Sequence, residues 1–175
     1  MECIFKLLRM GRRPGMVALM VVAVLVATLS ACSPKKNTAA SRRYQAFITR
    51  YNIYFNGDEH YKETLKEMER AYEDDYTAQL FMHPAEAYSN PKAPQPTGSF
   101  TRSIEKAQKA IQLRSIKKKP KRKSGHGNDP EYKAWMKREE YNPFLHNAWM
   151  LMGRSQYFNG DFLGAASTFY YVSKH

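Results

Sequence analysis

Trp149-Met150-Leu151-Met152-Gly153-Arg154-Ser155-Gln156-Tyr157-Phe158-Asn159-Gly160-Asp161-Phe162-Leu163-Gly164-Ala165 decides the fold. Apolar residues recur every three or four positions up to Phe158 and again from Phe162 to Phe169 and Val172. That period is helical on both sides of the break. Asn159-Gly160 is the break, because glycine frees the turn, and Asp161 suits the start of the next helix. Gly153 and Ala165 are small where two antiparallel helices must cross closely. Trp149, Met152, Phe162 and Phe169 are large enough to fill the wedge between them. The spacing predicts helices over residues 143–158 and 161–172.

Part of this stretch occurs twice. Tyr54-Phe55-Asn56-Gly57-Asp58 is repeated as Tyr157-Phe158-Asn159-Gly160-Asp161. The repetition predicts one supersecondary unit used twice. The second copy resembles a tetratricopeptide repeat, in which Trp, a Leu-Gly pair, Ala and Phe hold comparable places. Met152 replaces the leucine, and Gln156 stands where tyrosine is usual. A plain helical bundle remains the alternative.

Working outward, residues 42–56 are expected to be a helix capped by Ser41 and buried along Tyr44, Phe47, Ile48, Tyr51, Tyr54 and Phe55. Asn56-Gly57 should stop it. A second helix over residues 59–80, with Tyr61, Leu65, Met68 and Tyr72 inward, would complete a first, degenerate hairpin over 41–82. Four prolines make residues 83–98 a loop. Residues 99–117 hold a third helix, expected to face inward with Ile104, Ala107, Ile111 and Leu113. Residues 117–130 form a basic linker, and residues 131–175 add a short helix and the final hairpin. No run alternates as a strand does, so the fold class is all-α: antiparallel hairpins of tetratricopeptide (α-solenoid) type behind a cleaved signal peptide.

The signal is read from residues 1–31. Lys6, Arg9, Arg12 and Arg13 precede an apolar run over residues 16–28, and Leu29-Ser30-Ala31-Cys32 follows. This order is that of a bacterial lipoprotein signal. An uncleaved anchor is the alternative, because residues 14–34 carry no charge and approach the length of a membrane span. A cysteine at the cleavage point favours the lipoprotein. Cys32 would then be lipidated and begin the mature chain, and residues 32–40 would be its tether. Cleavage lowers the formal net charge from +12 to about +9. With Cys3 removed and Cys32 acylated, no thiol remains for a disulfide, a zinc site or a nucleophile.

The chemistry of an enzyme is not legible. His60, His83, His126, His146 and His175 are scattered without metal-ligand spacing, and no phosphate-binding glycine loop is framed by strand and helix. No cofactor, metal site or catalytic residue is expected beyond the covalent lipid on Cys32. Lys117, Lys118, Lys119, Lys121, Arg122 and Lys123 form a dense cationic run. It lacks interleaved aromatics to stack bases. A solvated linker is the simplest reading, and an anionic membrane surface is its candidate ligand.

Several segments together resemble one family. They are Cys32-Ser33-Pro34-Lys35-Lys36-Asn37-Thr38, Arg50-Tyr51-Asn52-Ile53-Tyr54-Phe55-Asn56-Gly57, Ile104-Glu105-Lys106-Ala107 and Ile111-Gln112, then Met152-Gly153, Gln156-Tyr157, Phe162 and Ala165. In this order they are similar to the PorW/SprE lipoprotein family of the type IX secretion system. The resemblance implies a Bacteroidetes lipoprotein anchored in the outer membrane and facing the periplasm. It implies a non-enzymatic helical adaptor for secretion, and for gliding motility in gliding relatives. Its partners would be proteins of the periplasmic ring or the outer-membrane translocon, with no nucleic acid and no small-molecule substrate. Family members are longer, so this chain is expected to be an N-terminal part. A tetratricopeptide lipoprotein of outer-membrane barrel assembly is the alternative.

Overall fold

A computed structural model describes residues 36–78 and 80–174. The expected signal peptide over residues 1–31, with the expected lipobox Leu29, Ser30 and Ala31, and Cys32 lie outside the described residues. The described residues are helical and contain no strand, so the fold is all-α. Residues Asn37–His175 form one compact unit.

The first helix is not the one the sequence predicts. Ala39–Ile48 (α1), a π-helical segment Thr49–Tyr54 and Phe55–Ala71 (α2) follow one another without a break. The π segment and the caps at Ile48, Thr49, Tyr54 and Phe55 are all in right-handed helical geometry. Thr38, not Ser41, caps the start, its Oγ1 accepting from the Ser41 amide at 3.1 Å. The expected hairpin over residues 41–82 is therefore absent, and Asn56-Gly57 lies inside a helix. The inward row explains this. It runs Gln45, Thr49, Ile53, Gly57 and Tyr61, at steps of four. In an α-helix each step of four overshoots a full turn by about 40°, so the row would spiral off the core. A π turn, bonded i→i+5, holds more residues and brings the row back toward one face.

Gly57 is glycine because two neighbours press on it. A Cβ there would sit 3.0 Å from Lys106 Cβ and 3.2 Å from Leu151 Cδ2. Its role is close approach, not a turn. The second copy of the pentapeptide does turn: Gly160 has φ +84°, a region open to glycine at little cost.

α2 ends at Ala71, well before residue 80. Glu73, Asp74 and Asp75 place negative charge at the negative end of the helix dipole. Asp75 also accepts from the amide and hydroxyl of Thr77, at 2.9 and 2.6 Å, a turn that competes with helix. The proline-rich segment is ordered. It holds a 3-10 helix, Pro84–Ser89, with Ala85 and Ala87 fully buried. Gln95 Nε2 donates to the carbonyls of Ala87, Asn90 and Ala93, binding the loop to itself. Tyr88 lays its ring over Gly160, and His83 packs on Phe158 with centroids 4.8 Å apart.

Thr101–Arg114 (α3), Pro130–Lys137 (α4), Leu145–Phe158 (α5) and Phe162–Lys174 (α6) complete the chain. Gln45 pairs with Arg114, Gly57 lies on Lys106, and Tyr61 meets Phe100, so α3 runs antiparallel to the first helix. The hairpin partner of the first helix is thus α3, reached through the loop. α5 packs on α3 and also meets the first helix, and α6 packs on α5. The core is Tyr61, Met68, Phe100, Ala107, Leu151 and Met152, continued by Ile53, Ala110, Leu145 and Ala148. Burying one large side chain of this set contributes roughly 1.5–3 kcal/mol.

Two measurements follow from this packing. Gly57→Leu should lower unfolding free energy by about 2–3 kcal/mol in urea titrations, because the added side chain has no room. Gly127→Leu, where nothing lies within 4 Å, should change it by under about 0.5 kcal/mol. Burial, helped at Tyr54 by the Asp58 charge, also raises the Tyr54 and Tyr61 hydroxyl pKa values. The folded state then holds these protons more tightly than the unfolded chain does. That stability is complete below the ordinary tyrosine pKa near 10 and is lost as pH rises through the higher folded values, which alkaline urea titrations would detect.

Candidate functional site

The residues expected to line the inner stripe of the first helix mostly face out. Tyr44, Phe47, Tyr51 and Phe55 are each more than half exposed. They recur at intervals of three, four and four along α1, the π segment and α2. Phe47 and Tyr51 touch, with centroids 4.8 Å apart, and the Arg50 guanidinium lies 5.1 Å over the Tyr51 ring. Arg50 also reaches Phe144, which stands edge-on to Tyr54 at 5.1 Å. Of the predicted stripe only Ile48 and Tyr54 are partly covered. The row is therefore an aromatic surface and not a core. Aromatic rings carry large contact area at small entropic cost, so an exposed row of them is a candidate contact surface.

A concave feature lies among α1, α4, α5 and α6. A cleft of ≈ 220 Å³ is lined by Arg42, Trp135, Arg138, His146, Trp149 and Tyr171, among others. Arg42 sits 5.1 Å over the Trp135 ring, and Trp149 stacks on Tyr171 at 4.5 Å. Trp135 is in turn edge-on to Tyr141. The cleft is lined by aromatic rings and cations together, with Arg42 over Trp135 and Tyr171 against Trp149, a mixed apolar and cationic lining.

Two side chains that sequence reasoning missed hold this side together. Glu140 turns its carboxylate inward, accepting from the amides of Ile116, Tyr141 and Asn142 and from the Ser115 hydroxyl. Asn142 Nδ2 donates to Thr49 Oγ1 at 3.1 Å and to the Arg114 carbonyl at 2.9 Å, while its Oδ1 accepts from the Phe144 amide. These bonds stop α3 at Arg114 and delay α5 to Leu145, inside the ranges expected. The only sequence signal was Asn142-Pro143, which predicts a break but not its long-range partners.

The residues singled out for repeat packing come together in the α5–α6 hairpin. Met152 and Ala165 are buried. A Cβ on Gly153 would lie 2.7 Å from Phe169 Cε1, so the ring rests directly on the α5 backbone. Phe162 is edge-on to Tyr157 at 5.3 Å. Trp149 packs against both core clusters. Gln156, the departure from the repeat pattern, accepts from Thr168 Oγ1 at 2.7 Å and so ties α5 to α6. Asn159, in the turn, accepts from the Phe100 amide at 3.1 Å and caps α3 from a distance. Lys117, Lys118, Lys119, Lys121, Arg122 and Lys123 are all exposed and lie apart from this hairpin.

Among the described residues no group of histidine, cysteine, aspartate or glutamate could hold a metal ion, and no helix is long and apolar enough to cross a membrane. No protein-family model matches the chain, and no curated protein matches it.

Gly153→Ala should cost about 1–3 kcal/mol of stability, because the ring of Phe169 must move. Phe169→Leu in the same chain should recover part of that loss. A double-mutant cycle by urea unfolding should give a coupling above about 0.5 kcal/mol.

Proposed function

We propose that this chain is a lipid-anchored helical adaptor of the type IX protein secretion machinery, and of gliding motility in gliding relatives. Cys32 carries the acyl chains, the outer membrane holds them, and the folded unit faces the periplasm. The α5–α6 hairpin is a tetratricopeptide-type unit, and the pair formed by the first helix and α3 is its degenerate neighbour. The protein works by binding components of the periplasmic ring or the outer-membrane translocon. It catalyses no reaction and takes no cofactor, nucleic acid or small-molecule substrate.

The observation that carries an adaptor role is the exposed row Tyr44, Phe47, Tyr51 and Phe55. Its spacing is that of anchors by which one helix enters a groove on another protein. Large aromatic side chains are the residues from which interfaces draw most of their affinity. The sequence Leu29-Ser30-Ala31-Cys32 and the family resemblance supply the address and the machine.

The test replaces all four aromatics with glutamine in the full chain. Helical content and Cys32 acylation should persist. Capture of purified ring or translocon proteins should weaken by about 100-fold or more, and cargo bearing the C-terminal secretion signal should stay inside the cell. Undiminished capture and secretion would remove the row from the mechanism. A deletion strain that loses outer-membrane barrels in general, with cargo secretion following only in proportion, would instead assign the chain to barrel assembly.

A further inference from the structure

The cationic run is a built surface and not a loose linker. Its backbone is held at several points. Ile116 N donates to Glu140 Oε1 at 2.8 Å, and Ile116 O accepts from the Tyr141 amide at 3.1 Å. Lys123 N donates to the Tyr132 hydroxyl at 2.9 Å. Between them, Asn37 Nδ2 donates to the Lys118 carbonyl at 2.7 Å. Asn37 Oδ1 accepts in turn from Arg42 Nη1 at 2.6 Å, which fixes the amide in place. None of these bonds uses a side chain of the run. Lys117, Lys118, Lys119, Lys121, Arg122 and Lys123 all remain exposed, and no ion pair among the described residues engages them.

The contact with Asn37 gives this surface its position. Asn37 stands five residues after Cys32. A fully extended chain of that length spans at most about 18 Å. Acyl chains on Cys32 would keep the run close to the bilayer, within roughly two Debye lengths at physiological salt. Attraction to anionic headgroups falls off within one Debye length, so it acts when the five-residue tether is less than fully extended, and each Lys or Arg then adds its own increment. A single acyl chain holds a membrane only marginally, and a polybasic patch is a known kind of second signal.

We propose that residues 117–123 form an electrostatic clamp for anionic phospholipid headgroups, tied by the Asn37–Lys118 hydrogen bond to a residue five positions along the chain from the proposed lipid anchor. The clamp fixes which face of the domain lies on the membrane. It rests on lipidation at Cys32 for its location.

The test uses the full chain purified from envelopes. One variant changes all six cations to glutamine, and a second changes the five lysines to arginine. Each is mixed with vesicles of phosphatidylcholine alone, or of phosphatidylcholine with phosphatidylglycerol. The glutamine variant should partition onto the phosphatidylglycerol vesicles at least about 10-fold less than the parent, and equally onto phosphatidylcholine. The arginine variant should behave as the parent, and high salt should erase the difference. A loss of under about threefold for the glutamine variant overturns the clamp. So does parent binding that ignores phosphatidylglycerol. If the glutamine variant loses its helical circular dichroism, the arginine variant and the salt response decide. Mass spectrometry of Cys32 in the same sample reads the anchor separately: an unmodified thiol ends the lipoprotein reading, whatever the vesicles show.

Discussion

The close approach of three helices at Gly57 sets the rest of the architecture. With hydrogen in place of a side chain, the first helix can touch Lys106 on α3 and Leu151 on α5 together. That contact requires Gln45, Thr49, Ile53 and Gly57, each smaller than the aromatic residues beside it, to share one face. Their spacing of four does not suit an α-helix, and the π segment Thr49–Tyr54 is the local adjustment. Turning that row inward turns Tyr44, Phe47, Tyr51 and Phe55 outward. The exposed aromatic row is thus a geometric consequence of the core contact.

Helical packing alone leaves the non-helical joints unspecified, and here polar side chains specify them. Glu140 gathers three amides and a hydroxyl, and Asn142 joins the π segment, the end of α3 and the start of α5. Asn159 caps α3 from the last turn, where the Phe100 position offers no side-chain cap of its own. Buried polar groups are costly unless every partner is present, so such networks favour one arrangement over its near neighbours. They also explain why α3 stops earlier, and α5 starts later, than their sequence patterns suggest.

The all-helical class and the α5–α6 hairpin were legible because their signals are local. Gly153, Gly160 and Ala165 have the sizes their neighbours require, and the apolar period is regular on both sides of the turn. The first hairpin was misread for an equally physical reason. Tyr-Phe-Asn-Gly-Asp is compatible with a turn and with a helix interior, and only tertiary contact chooses between them. At Gly160 the chain reverses with positive φ, whereas at Gly57 neighbouring helices occupy the space a side chain would need. Periodicity likewise revealed an aromatic face but not its direction. Aromatic rings favour burial on average, yet the smaller row beside them fits the available interhelical space. The roles of Glu140 and Asn142 were invisible because their partners are distant in sequence.

The same constraint separates two kinds of surface. The aromatic row belongs to the continuous first helix, so its rings stand at the spacing that the helix sets. The cationic run belongs to a segment without regular structure, held by backbone bonds while its side chains stay free. A bilayer presents no fixed pattern of groups, and long flexible cations suit it because each can find a headgroup independently. A protein partner does present a fixed pattern, and rings with few rotatable bonds suit that. Asn37 connects the two, since it lies one residue before the cap of α1 and bonds the run at Lys118. Whatever orients the run at a membrane therefore also orients the first helix that carries the aromatic row.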